Sequence, residues 1–367
     1  MKLSTLKTIR QNFLKELQDA NIGRKNSLAF IVNEIPKIPL VENGKRFQVL
    51  VVGGSICKKA ILVKKDNELE VVKNETAKQP SFNNELVFLE FIEKNLEDNI
   101  NILALNFAYP LKPIFINKKL DGILIKGSKE NSFGNLVGRK IGEEIEKYVL
   151  QKNGKKIIVS LANDTICLLL SGLTKFSWDN LAAGIVGTGL NFAIFKNKNK
   201  LVNLESANFD KFPKTKETQI IDRESNNPGG WLFEKETTGA YLYKHFNIIL
   251  KAKNLPFSPI NSTEDLNALC SKNIPKISKI AQDLLNQSAQ LVACQIAGIT
   301  AFKKPHFAKA SRGKQNMVFV MEGSLFWKGN NYKKIVKETV RKLVPEYKVE
   351  FVEIKQSGIM GGAKLIC

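Results

Sequence analysis

Apolar residues along this chain follow two rhythms. Between residues 4 and 20, Leu6, Ile9, Phe13, Leu14 and Leu17 recur at helical spacing and leave one apolar face. The same spacing predicts helices over residues 83–96, 136–150, 166–173, 277–302 and 332–343. A further long helix is predicted from Trp231 toward Leu250, with shorter helical fragments between Pro256 and Pro275. Short continuous apolar runs predict buried strands over residues 47–52, 60–63, 69–72, 102–107, 122–125, 157–161, 182–186, 191–195, 319–321 and 349–354. Pro36 and Pro39 predict an extended connector ahead of the first strand.

Two of these strands end in glycine turns. Gly53-Gly54-Ser55 follows residues 47–52, and Gly187-Thr188-Gly189 follows residues 182–186; each turn leads into another strand. Glycine carries no side chain, so the backbone at such a turn can approach a phosphate closely. Two lobes built this way and facing each other could grip a triphosphate from both sides. A third glycine-rich stretch, Ser357-Gly358-Ile359-Met360-Gly361-Gly362, reads as a final loop.

The candidate chemistry sits at Leu161-Ala162-Asn163-Asp164-Thr165, between two apolar runs. These polar types form turns readily. They also set an amide, a carboxylate and a hydroxyl at a strand end, which is where ligands bind in open α/β folds. There an aspartate can take a proton from a substrate hydroxyl while the amide orients the substrate.

Composition narrows the classes. The 367 residues allow two domains. No apolar run approaches the roughly 20 residues of a membrane span, and the basic N-terminus has no apolar signal-peptide centre. Five scattered cysteines without a C-x-x-C pair, and two lone histidines, His245 and His306, make neither a disulfide framework nor a zinc site. A reducing cytoplasm fits that usage. The net charge of +21 raises the question of nucleic acid. Only seven of the basic residues are arginine, and no basic run is interleaved with aromatics, so the charge reads as a solvated lysine surface without specific nucleic-acid binding.

The ordered series of motifs resembles the hexokinase family, from about Ser27 to the end. Asn163-Asp164-Thr165 is the family's motif, and Ile185 to Asn191 is similar to its second phosphate loop. Asn203-Leu204-Glu205 resembles its Asn-Thr-Glu. The block from Asp222 to Gly229 with Phe233-Glu234-Lys235 resembles its Asn-Pro-Gly and Phe-Glu-Lys. Glu322-Gly323-Ser324-Leu325 resembles the adenosine segment, and Ser357-Gly358 with Gly361-Gly362-Ala363 the last nucleotide loop.

The resemblance implies an α/β, two-lobed actin-like ATPase (ribonuclease H-like) sugar-kinase fold with an interlobe cleft. It implies an N-terminal helical segment over 1–40 on the large lobe, a small lobe over 41–163, a large lobe over 164–355 and a C-terminal nucleotide loop over 356–367. The implied activity is ATP-dependent phosphorylation of a glucose-like hexose at its primary hydroxyl, with ATP and Mg²⁺ as cofactors and the oligomeric state open. Asp164 would be the base, assisted by Lys126. Asn163, Lys126, Glu205 and Glu234 would bind the sugar. Gly53, Gly54, Ser55, Gly187, Thr188, Gly189, Glu322, Gly323, Ser324, Ser357 and Gly358 would bind ATP.

Three departures stand out. Val51 replaces the aspartate of the first phosphate loop, Ala108 replaces a serine, and Ile125 replaces a threonine beside Lys126. Valine offers no oxygen to a hydrated magnesium ion. The alternative reading is therefore a non-catalytic sugar or nucleotide sensor on the same fold.

Overall fold

The computed structural model describes residues 1–53, 56–66, 68–127, 131–303 and 315–367. The chain begins with α1 (Leu3–Asn21), β1 (Ile31–Glu34), β2 (Arg46–Val52), β3 (Ile56–Lys65), β4 (Glu68–Lys78), α2 (Glu85–Lys94) and β5 (Ile102–Phe107). It continues through β6 (Leu111–Ile116), β7 (Lys119–Leu124), α3 (Ile141–Asn153), β8 (Ile158–Ala162), α4 (Asp164–Ser171), β9 (Leu181–Val186), β10 (Leu190–Asn197) and β11 (Lys200–Asn203). Next come α5 (Lys216–Arg223), α6 (Leu232–Thr237), α7 (Leu242–Ala252), α8 (Thr263–Leu269) and α9 (Pro275–Lys303). Last are β12 (Gln315–Glu322), α10 (Ser324–Lys328), α11 (Tyr332–Leu343), β13 (Tyr347–Val352) and α12 (Ser357–Ala363).

These elements form two compact units, each discontinuous in sequence. The first holds Met1–Phe30, Gly184–Phe192 and Leu204–Val352; the second holds Ile31–Ala183, Ala193–Asn203 and Glu353–Cys367. In the first unit β12 lies between the end of β9 and β13, to which it runs parallel. Helix α1 lays its predicted apolar stripe on α9. Gly298 of α9 makes this possible, since a Cβ there would lie 2.7 Å from Phe13 Cδ1.

The second unit is built on a five-stranded sheet in the order β4-β3-β2-β5-β8. Strands β2, β5 and β8 are parallel, and β3 and β4 continue as an antiparallel hairpin. A cluster of aromatic rings, Phe82, Phe88, Phe107, Tyr109 and Phe133, fills its core with centroids 4.6 to 5.6 Å apart. Asn84 caps α2 by accepting the Val87 N–H at 3.0 Å. Among the described residues no helix is long and apolar enough to cross a membrane.

Three sequence expectations need correction. The segment from Trp231 toward Leu250 is two helices, α6 and α7, broken at Thr238-Gly239. There the backbone turns aside to bond another loop. The stretch Ser357 to Gly362 is helix α12 rather than a loop. Its glycines serve close packing: a Cβ on Gly361 would come 1.8 Å from Cys167 O, and one on Gly362 2.7 Å from Val49 Cγ1. Finally, a strand, β1, precedes the extended connector at Pro36, and a hairpin of β6 with β7 enlarges the single strand expected near Gly122.

Candidate active site

In the first unit the second glycine turn joins β9 to β10. Gly187 N–H donates to Gly189 O at 3.0 Å and closes the turn. The break between α6 and α7 meets the turn from outside: Gly239 N–H donates to Gly187 O at 2.8 Å, and Ala240 N–H to Thr188 O at 3.2 Å. Glycine eases one of these approaches and is required at another. A Cβ on Gly239 would stand 3.0 Å from Gly187 O. One on Gly323, whose φ is +109°, would stand 2.1 Å from Val186 O. Around these backbones lies a cavity of about 290 Å³ lined by residues that include Gly187, Thr188, Gly239, Asn267, Ser324 and Lys328. The amide N–H groups named here are spent on carbonyls, so the phosphates of ATP would be met at this cavity by the hydroxyls of Thr188 and Ser324 and by the exposed Lys328.

The same turn positions the two candidate sugar carboxylates. Glu234 sits in the first turn of α6 and accepts the Leu190 N–H at 3.1 Å through Oε2. A Cβ on Gly189 would lie 3.0 Å from that oxygen, so the glycine leaves room for the carboxylate. Burial pushes Glu234 above the usual carboxylate range, and the charge of Glu205 adds to the shift, against the Leu190 N–H. Glu205 takes a left-handed backbone, φ 49°, ahead of a short 3₁₀ turn. Asn191 Nδ2 donates to Glu205 Oε1 at 3.2 Å, while Asn191 Oδ1 accepts the N–H of Phe192 at 2.8 Å. Asn191 thus joins the constellation. It lay inside the quoted phosphate-loop motif, and its place one residue into a strand beside a glycine turn was the available signal.

In the second unit Asn163 and Asp164 open α4 at the end of β8. Asn163 is the N-cap and accepts the Thr165 N–H at 2.8 Å. Asp164 Oδ1 accepts the same N–H at 2.7 Å, which fixes the carboxylate at the positive end of the helix. Both side chains are half-buried. Lys126 is exposed and follows β7 on a separate stretch.

The first glycine turn begins at Gly53, whose carbonyl accepts the Tyr109 hydroxyl at 2.7 Å and Gln79 Nε2 at 2.9 Å. Gly54, Ser55 and His306 lie outside the described residues. Val51, two residues before Gly53, pairs in register with Asn106 of β5. Its methyls face Gly358 of α12, and Asn106 Nδ2 donates to Gly358 O at 3.3 Å. Ser357, beside it, is buried. Val51 offers no oxygen to magnesium at this place, whereas the Asn106 Oδ1 beside it is buried and has no hydrogen-bond partner among the described residues. Glu322 ends β12 next to Gly323.

The elements are those of the actin-like fold shared by solved sugar kinases. A hexokinase from Schistosoma mansoni, described in complex with glucose, superposes with a TM-score of 0.77 at 16% identity, covering 100% of this chain and 95% of that one. A ROK hexokinase from Thermus thermophilus gives 0.57 at 15% identity over 88% of this chain and 98% of its own. Residues 181–253 and 259–367 match the family model described as Hexokinase. Hexokinase-1 of Spinacia oleracea is 26% identical over 307 residues, 70% of this chain and 61% of the relative. Hexokinase-7 of Oryza sativa subsp. japonica is 25% identical over 324 residues, 72% of this chain and 67% of the relative. The chain belongs to the hexokinase family. It spans less than two thirds of the length of the spinach relative.

Proposed function

We propose that the protein phosphorylates a glucose-like hexose at its primary hydroxyl, with ATP as the phosphoryl donor. The observation that carries this reading is the grouping of Glu205, Glu234 and Asn191 around one glycine turn. Two carboxylates and an amide supply several acceptors and a donor, which suits a ligand dense in hydroxyls. An adjoining cavity lined by residues that include Thr188, Ser324 and Lys328 supports the nucleotide.

Glu205 and Glu234 accept sugar O–H groups and hold the ring, with Asn163 and Lys126 as further partners. Asp164 accepts the proton of the attacking primary hydroxyl. Its position at the start of α4, with Oδ1 tied to the Thr165 N–H, limits the carboxylate's rotation. The hydroxyls of Thr188, Ser324 and Ser357 and the ammonium of Lys328 would orient the nucleotide phosphates. Phosphoryl transfer asks mainly for positioning and neutralised charge, which donors and a cation of this kind supply.

The test is ATP consumption by the purified protein across a panel of hexoses, with sugar binding measured by calorimetry on the same preparation. Phosphorylation of a hexose supports the enzyme. Sugar binding without any ATP turnover would assign the protein to sensing instead.

A further inference from the structure

Two buried side chains that the proposed reaction does not use hold the start of the first glycine turn. Gly53 O accepts the Tyr109 hydroxyl at 2.7 Å and Gln79 Nε2 at 2.9 Å, and Gln79 Nε2 also donates to the Tyr109 oxygen at 3.2 Å. The three groups close a triangle of hydrogen bonds. A carbonyl oxygen has two lone pairs, and here it has two donors.

Both side chains are anchored far from the turn in sequence. Gln79 lies just past β4 and Tyr109 just past β5. The Tyr109 ring packs 4.7 Å from that of Phe107 and 4.6 Å from that of Phe133. Ala108 N–H donates to Val52 O at 3.0 Å and ties the same two strand ends one residue earlier. Gln79 Oε1, by contrast, is buried without a hydrogen-bond partner among the described residues. An unpaired amide oxygen in the interior is costly, and leucine would avoid that cost. What accounts for the amide is the work of its nitrogen on Gly53 and Tyr109.

The turn needs such a restraint. Gly53 has no side chain to limit its backbone, and its N–H bond to Ile56 O is long, 3.4 Å. Peptide units are planar, so fixing the Gly53 carbonyl fixes the plane in which the chain leaves β2.

We propose that Gln79 and Tyr109 are positioning residues for the nucleotide. They hold the Gly53 peptide so that the first glycine turn meets the phosphates of a nucleoside triphosphate in a preformed shape. A loop set in advance loses less freedom on binding. This inference rests on the reading of that turn as a phosphate loop.

Tyr109→Phe removes the hydroxyl and keeps the ring, and Gln79→Leu removes the amide with its unpaired oxygen. Calorimetry on the full chain measures binding of a non-hydrolysable ATP analogue and of glucose, beside thermal unfolding. Each variant should weaken the nucleotide by about threefold to tenfold, the range of one neutral hydrogen bond, and leave glucose within about twofold. The double variant should lose more than the product of the two, because either donor alone still directs the carbonyl. An analogue bound by wild type and equally well by all three variants would overturn this proposal alone. Parallel loss of nucleotide and glucose with a lower unfolding midpoint would reduce the triangle to a structural role and overturn it too. Failure of the wild-type chain to bind the analogue would overturn both this proposal and the phosphate reading beneath it.

Discussion

Val51 and Gly358 are in contact: a Cβ on Gly358 would stand 3.3 Å from Val51 Cγ1 and 3.4 Å from Cγ2. Hydrocarbon therefore fills the place where the family's first phosphate loop carries an aspartate. Val51→Asp would set a carboxylate beside Asn106 Nδ2, which donates to Gly358 O at 3.3 Å. Turnover with Mg-ATP and glucose is expected to rise by about tenfold or more, roughly 1.4 kcal/mol of barrier. Steady-state rates of wild type and Val51→Asp check this. A fall in turnover would show that the wild-type chain holds its metal by another route.

Asp164 is expected to govern the chemical step. Asp164→Ala should lower kcat by about 10²-fold or more, the usual scale of general-base catalysis. The fold should survive, because Asn163 still caps α4 through the Thr165 N–H. Loss of the carboxylate from the first helical turn costs about 0.3–1 kcal/mol. Thermal unfolding and single-turnover kinetics separate the two effects. Wild-type turnover in Asp164→Ala would remove the residue from the mechanism.

Sugar affinity should depend on pH through Glu234. Burial, aided by the Glu205 charge, raises this carboxyl above the ordinary range, so its ionised form prevails only above that raised value. The ionised form accepts hydroxyl hydrogen bonds, and the protonated form gives up one acceptor. KM for the sugar should thus rise as pH falls, beginning at a higher pH than an ordinary glutamate would produce. Glu234→Gln should flatten this acid limb and weaken sugar binding at neutral pH by about 1.5–3 kcal/mol, the worth of a hydrogen bond to a charged group. A pH series of KM in both proteins is the measurement.

Gly361 tests the packing of the last helix. A Cβ there would fall 1.8 Å from Cys167 O, so backbone must move. Gly361→Ala should cost at least about 1–3 kcal/mol, the range for overpacking, visible as a lower midpoint in urea. An unchanged midpoint would mean that α12 shifts freely against α4.

Much of the fold was legible because periodicity is local. The stripe at Leu6, Ile9, Phe13, Leu14 and Leu17 gave α1, and the runs at residues 102–107 and 332–343 gave β5 and α11 with their observed bounds. Glycine was read less well. Near Gly361 and Gly239 the sequence suggested a loop in one case and an unbroken helix in the other. Both glycines exist for a neighbour distant in sequence, Cys167 in one case and Gly187 in the other. No local pattern carries that information. At the candidate site, Glu205 and Glu234 were visible as motifs, whereas Asn191 emerged only through its bond to Glu205.

The break between α6 and α7 ties the proposed sugar carboxylate to the proposed phosphate loop. Glu234 leads α6, and directly after that helix Gly239 and Ala240 donate to the carbonyls of Gly187 and Thr188. A force on the carboxylate is carried by five residues of backbone into the loop proposed to hold phosphate. Any preference of the bound sugar for one setting of α6 therefore becomes a preference of the nucleotide for the matching setting of the loop. Thermodynamic reciprocity then makes each ligand change the other's affinity by the same factor. A chain that binds its hexose well should hold ATP more tightly in that sugar's presence, before any phosphoryl group has moved.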